Sequence, residues 1–314
     1  MASLTKDPYR IAAKYETFVI RASSPWRVNR PKDRKREDTL AAKPVVVGVD
    51  GSEGALRAVE WAAQEAERRK APLRIVTVAA MPPRMRPSNE GPEGVANELL
   101  KSSTDALDAS VARAGEVAPG LITDADLLSG PPDQAISDSG SGAQLLVVGA
   151  RGMSGFVALV LGSVSRYVAS HAPCPVVVVR HDADVPAADG EIVVGVRESM
   201  AASEAVAFAF EEAALRGADL VAVHAWHGSG GEQHATSILT ETLSEWRDKY
   251  PAVAARPEAV SGHPGHVLAD YSARAALVVI GRHGAPGAGH AIGSAPHTLL
   301  GHARGPVAIV PCES

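Results

Sequence analysis

Gly149-Ala-Arg-Gly152-Met-Ser-Gly155-Phe-Val-Ala-Leu-Val-Leu-Gly162-Ser163 is the stretch that decides the fold. Two residues separate Gly149 from Gly152, and nine separate Gly152 from Gly162-Ser163. The unbroken apolar run Leu145 to Val148 before it predicts a buried parallel strand. After Gly162, the pattern Val164, Tyr167, Val168, Ala169, His171 predicts a helix that Pro173 closes. A strand, a glycine loop and Gly-Ser at a helix start can hold an anion. Glycine lets the backbone approach, and the helix end offers unpaired N–H groups and the positive pole of its dipole.

The stretch occurs twice. Gly281-Arg-His-Gly284, eight further residues and Gly293-Ser294 follow the apolar run Ala276 to Ile280. Val45 to Val49 is echoed by Ile192 to Val196, and Gly130-Pro-Pro-Asp133 by Gly262-His-Pro-Gly265. The chain therefore divides into a leader (1–43), a first unit (44–180), a linker (181–190) and a second unit (191–314). Each unit alternates strands and helices, which predicts α/β architecture: two tandem, doubly wound parallel sheets with right-handed crossovers. Ligands of such sheets sit at the carboxyl edge, where the glycine loops emerge. The helix expected over Glu53 to Lys70 carries Leu56, Val59, Ala63 and Ala66 inward, with Glu60, Glu65, Glu67 and Arg68 outward. Tyr15 to Ile20 suggests a short helix in the leader.

Composition narrows the function. A hydrophobic content of 46% and charged content of 21% are those of an ordinary soluble globular protein. No apolar run approaches a membrane span, so no membrane role is expected. The leader holds eleven Lys/Arg against five Asp/Glu, leaving 20 against 31 in the remainder. The basic leader is thus expected to be either a disordered segment or a tethering arm for an acidic partner, and the acidic units are expected to offer no nucleic-acid face. Only two cysteines, Cys174 and Cys312, occur at equivalent edges of the repeats, which suits a reducing cytoplasm.

These residues resemble the universal stress protein family in its tandem two-domain form. The resemblance rests on Gly149, Gly152, Gly162 and Ser163, and on a first strand ending in Asp50-Gly51-Ser52. It implies a Rossmann-like fold of the adenine-nucleotide alpha hydrolase type and a site for ATP, with magnesium an open question. Asp50 and Val49 would hold the adenosine, and Val78 would line the adenine slot. Gly149 and Gly152 would wrap the phosphates, and Gly162, Ser163 and Val164 would meet the tail. The chemistry agrees: a carboxylate accepts from ribose or adenine, and a helix-start serine both caps and donates. Asp-Gly-Ser is equally good turn chemistry, and Arg151 is either a phosphate partner or a solvated loop residue. No Gly-Lys-Ser/Thr of a P-loop is present, so retention or slow turnover fits better than brisk hydrolysis.

The second repeat departs from the first. Arg197-Glu198 stands where Asp50-Gly51 would be, and its glycine loop is one residue short. Gly281, Gly284, Gly293 and Ser294 are expected to form a weaker anion site, and the unit to act mainly as a pseudo-dimer partner. The resemblance further implies that the last strands of the two units pair; each is short and β-branched, like an edge seeking a partner. Association of two chains into a homodimer stays open. Nine of the eleven histidines lie in this unit. His224, His227, His263, His266 and His283 emerge at one edge, as metal ligands or as solvated loop residues. Three functions remain: an ATP-binding stress or signalling module, a slow ATPase or phosphoryl-transfer enzyme using Ser163, and an interaction scaffold that binds no nucleotide.

Overall fold

The computed structural model describes residues 19–20, 42–79, 91–150, 161–180, 190–197, 203–226, 231–283 and 292–312. The first unit contributes strands β2 (Val45–Gly48), β3 (Leu73–Ala79), β4 (Thr123–Ser129), β5 (Leu145–Gly149) and β6 (Val176–Val179). Its helices are α1 (Glu53–Arg68), α2 (Gly91–Val117), α3 (Pro132–Ser139) and α4 (Ser163–His171). The second unit repeats the order with β7 (Ile192–Gly195), α5 (Ser203–Arg216), β8 (Leu220–Trp226), α6 (Gly231–Arg247) and β9 (Ala255–Ser261). It ends with α7 (Pro264–Tyr271), β10 (Leu277–His283), α8 (Ser294–His302) and β11 (Val307–Cys312). A two-residue strand, β1 (Val19–Ile20), pairs antiparallel with β4 at the sheet's outer edge. These two leader residues were expected in a helix. Two adjacent β-branched residues can instead satisfy an exposed strand edge.

All eleven strands form one sheet, in the order β1-β4-β3-β2-β5-β6-β11-β10-β7-β8-β9. Within each unit the pairing is parallel, as the alternation predicted. Between units β6 and β11 run antiparallel, with Val178 opposite Val307 and Val176 opposite Ile309. The two closing strands thus occupy each other's edges, as expected for the pseudo-dimer. Side chains of a strand alternate between faces. Val45, Val47 and Val49 enter one core with α1, α5 and α6, whereas Val46 enters the other with α3, α4, α7 and α8. Each core runs through both units. No helix among the described residues is long and apolar enough to cross a membrane.

A buried ion cluster joins the units where α1 meets α5. Arg69, just past α1, contacts Glu65 at 2.6 Å and Glu211 at 3.1 Å, and also meets Glu212. Arg216 contacts Glu65 at 2.7 Å and also meets Glu212. Glu65 and Glu212 are fully buried, so the expectation that Glu65 faces water is corrected: the second unit covers that face of α1. The arrangement is reciprocal, because Arg69 also lies over the Phe208 ring and Arg216 over Trp61. Burial raises the Glu65 carboxyl, but the charges of Arg216 and Arg69 outweigh it and hold it below the usual range. Burial and the Glu65 charge push Glu212 up.

Two further arginines cross the seam. Arg282 donates to the Ala172 carbonyl at 2.8 Å and to that of Ser170, at the end of α4. Arg180 donates to the Leu300 carbonyl in the last turn of α8. A cation at a helix C-terminus complements its dipole and its unpaired carbonyls. Each of these helices is thereby held at its tail by the opposite unit. Cys174 and Cys312 are buried free thiols, each pushed up to about 11 by burial.

Candidate functional site

In the first unit, β2 ends at Gly48, Val49 is buried and Asp50 is exposed. The buried Thr77 hydroxyl donates to the Val49 carbonyl at 2.8 Å and ties this strand end to β3. One Asp50 carboxylate oxygen accepts from the Ser52 amide at 3.0 Å, and Ser52 in turn caps α1 by accepting from Ala55 at 3.1 Å. The turn role of Asp50 is therefore real. It also fixes where the carboxylate stands, at the carboxyl edge beside β5. Val78 is half-buried near the end of β3, against the core beneath that edge.

The glycine segment begins as expected and then differs in detail. A Cβ on Gly149 would lie 2.8 Å from the Gly54 carbonyl oxygen and 2.9 Å from its carbon. Glycine is required there because the first turn of α1 presses on the end of β5. Gly162, not Ser163, is the N-cap of α4, and no side chain among the described residues caps the helix. Ser163 is instead the first helical residue and is exposed, which corrects its expected capping role. The first-turn N–H groups are thus left to whatever occupies the site. Val164 is half-buried behind them. Arg151 and Gly152 lie outside the described residues.

Ser165 and Thr77 were missed in the sequence. The buried Ser165 hydroxyl donates to the Gly149 carbonyl at 2.6 Å, fastening the strand end to α4. Its only sequence signal is a hydroxyl on a helix face otherwise occupied by Val168 and Ala169. Ser165→Ala is expected to cost about 1 kcal/mol, read as a lower urea midpoint with an unchanged m-value.

In the second unit the same strand and helix ends line a cleft of about 170 Å³. Val223, Leu268, Ile280 and Ile292 give it apolar walls, and Arg197 and Ser294 are also in its lining. Arg197, Gly293 and Ser294 are exposed, so they stand at the rim. Gly293 is the N-cap of α8 with φ +82, a backbone that favours glycine, and again no side chain among the described residues caps the helix. Gly281 closes the lining from β10, and Gly284 lies outside the described residues.

The histidines divide. His224 is half-buried in the cleft lining. His263 caps α7, its Nδ1 accepting from the Gly265 amide at 3.3 Å. His266 packs against His263 and, edge-on, against His302. Among the described residues no group of three or more His, Cys, Asp or Glu could hold a metal ion. His227 and the His283 side chain lie outside them.

The family model for universal stress proteins matches the chain twice, over residues 41–180 and 190–311. The chain belongs to the universal stress protein family. A universal stress protein of Mycobacterium tuberculosis is 34% identical over 293 residues, covering 84% of this chain and 95% of its own. A solved universal stress protein from Archaeoglobus fulgidus covers 85% of this chain and 98% of its own, at 19% identity and a TM-score of 0.69, and shows the same fold. Another universal stress protein, solved in complex with cAMP, aligns with 44% of this chain and 97% of its own at 29% identity, with a TM-score of 0.35. In universal stress protein terms, this chain is the tandem form, with both units in one sheet.

Proposed function

We propose that the first unit binds ATP, with magnesium accompanying the triphosphate, and that occupancy sets the conformation or partner choice of a stress-response or signalling module. The nucleoside end lies by Val49, Asp50 and Val78. The phosphates lie along Gly149, Arg151 and Gly152 toward Gly162, Ser163 and Val164. The observation that carries this is the start of α4. Glycine caps it, no side chain among the described residues serves it, and it follows a strand end that Ser165 fastens to the same helix. Such an end suits a polyphosphate, whose oxygens would take the place of the missing cap. Family membership supports the same conclusion. The second unit, with Gly281, Gly284, Gly293 and Ser294 but no carboxylate at position 197, binds ATP more weakly.

The test is to denature freshly purified protein, identify any released nucleotide, and titrate emptied protein with ATP in a calorimeter. One adenine nucleotide per chain is expected. Asp50→Ala is expected to weaken ATP binding by about tenfold, the worth of a charge-assisted hydrogen bond. Empty protein that stays indifferent to millimolar ATP overturns the proposal. A single-turnover assay with labelled ATP separates retention, the expected result, from slow hydrolysis or transfer to Ser163.

A further inference from the structure

The two units differ in the charge of the residue just past their first strand, Asp50 in the first and Arg197 in the second. Arg197 occupies the position of Asp50: each follows by two residues the glycine that ends its strand, Gly195 of β7 and Gly48 of β2. Arg197 is among the residues lining the cleft and is exposed, which puts it at the rim. No Asp or Glu lines the cleft among the described residues. Besides His224 in the wall, the polar feature at the rim is the N-terminus of α8, at Gly293 and Ser294, which no side chain caps among the described residues. The cleft therefore presents two separate electropositive groups around an apolar interior. At about 170 Å³ it falls below the roughly 300–1,000 Å³ that encloses a whole drug-sized ligand. It has room for one ring system, with the charged parts of the ligand left at the rim.

A guanidinium donates and never accepts. It cannot do for a ribose hydroxyl what a carboxylate does, but it pairs well with a phosphate through its planar fork. The same exchange operates in dinucleotide-binding sheets, where an acidic residue at a strand end takes a free ribose hydroxyl and an arginine takes a phosphorylated one. We infer that the second unit is a site for an adenine nucleotide carrying a second phosphate on its ribose. The ring sits among Val223, Leu268, Ile280 and Ile292, Arg197 holds the ribose phosphate, and the α8 N-terminus holds the 5′-phosphate. This rests on the adenine-nucleotide reading above and adds which nucleotide the second cleft takes.

Calorimetry on the full chain with adenosine 3′,5′-bisphosphate, adenosine 2′,5′-bisphosphate and AMP tests it. At least one bisphosphate is expected to bind about tenfold tighter than AMP, the worth of one charge-assisted pair. Arg197→Ala should abolish that preference while leaving AMP affinity unchanged, and Arg197→Lys should keep part of it. Arg197 is exposed, so these variants are expected to fold, and an unchanged melting temperature verifies it. Equal binding of AMP and both bisphosphates by the natural chain, or a preference that survives Arg197→Ala, overturns the assignment. If ATP still binds with a dependence on Asp50, only the Arg197 assignment falls. If no adenine nucleotide binds at all, the proposed function falls with it.

Discussion

Arg69→Ala is expected to cost about 3–5 kcal/mol of folding free energy, the range for removing one partner of a buried charge network. The loss comes less from the bonds that vanish than from what they leave behind. Glu212 would keep Arg216, and Glu65 would keep Arg216 and the partly exposed Arg68. Arg216 would then be the one buried guanidinium facing two fully buried carboxylates, with Arg68 giving Glu65 only a longer, partly exposed contact at 3.6 Å. Urea unfolding should show the midpoint falling with little change in m-value. Arg69→Met combined with Glu212→Leu should recover much of the loss, because Glu65 and Arg216 remain a matched pair and two apolar side chains fill the vacated volume. A loss under about 1 kcal/mol for Arg69→Ala, the value of a surface pair, would mean that water reaches the cluster.

Phe210→Ala is expected to cost a similar amount, about 3–5 kcal/mol for an aromatic side chain deleted from a close-packed core. Phe210 is fully buried and stacks with Trp246 at 6.0 Å and Tyr250 at 5.6 Å between ring centroids. It lies in the second unit, yet its core is continuous with that of the first. The damage should therefore lower one shared unfolding transition rather than split it. ATP bound in the first unit should raise the melting temperature of this variant as it raises that of the natural chain, since any ligand of the native state stabilises the whole cooperative body. Two resolved transitions, with only the upper one responsive to ATP, would show that the units melt separately.

Much of this architecture was legible in the chain. Buried parallel strands are apolar throughout, so Leu145 to Val148 and its echo from Leu277 announced themselves. Glycine spacing marked both loops, and the family resemblance implied the pairing of β6 with β11. Glu65 was misplaced because a single helix carries no information about what covers it. On α1 alone a glutamate beside Arg68 and Arg69 belongs in water, and the partner that buries it, Arg216, is 151 residues further along the chain. The one available hint was Glu65 with Arg69 repeated as Glu212 with Arg216. At the site, Ser163 was preferred as cap on residue type, but the chain enters α4 with Gly162 in extended backbone. Thr77 and Ser165 escaped notice because a lone hydroxyl in an apolar element usually satisfies its own neighbourhood, and only the fold reveals the carbonyl it reaches.

The antiparallel seam between β6 and β11 has one more consequence. Two separate copies of a single polypeptide meeting across such a dyad must be identical at both ends, and any change made to one is made to the other. A peptide tether removes that obligation. One lobe can keep an acid at the mouth of its pocket while its twin installs a base, and the shared edge still holds them as one body. Division of labour between Asp50 and Arg197 is open to this molecule only because its halves are written in a single chain.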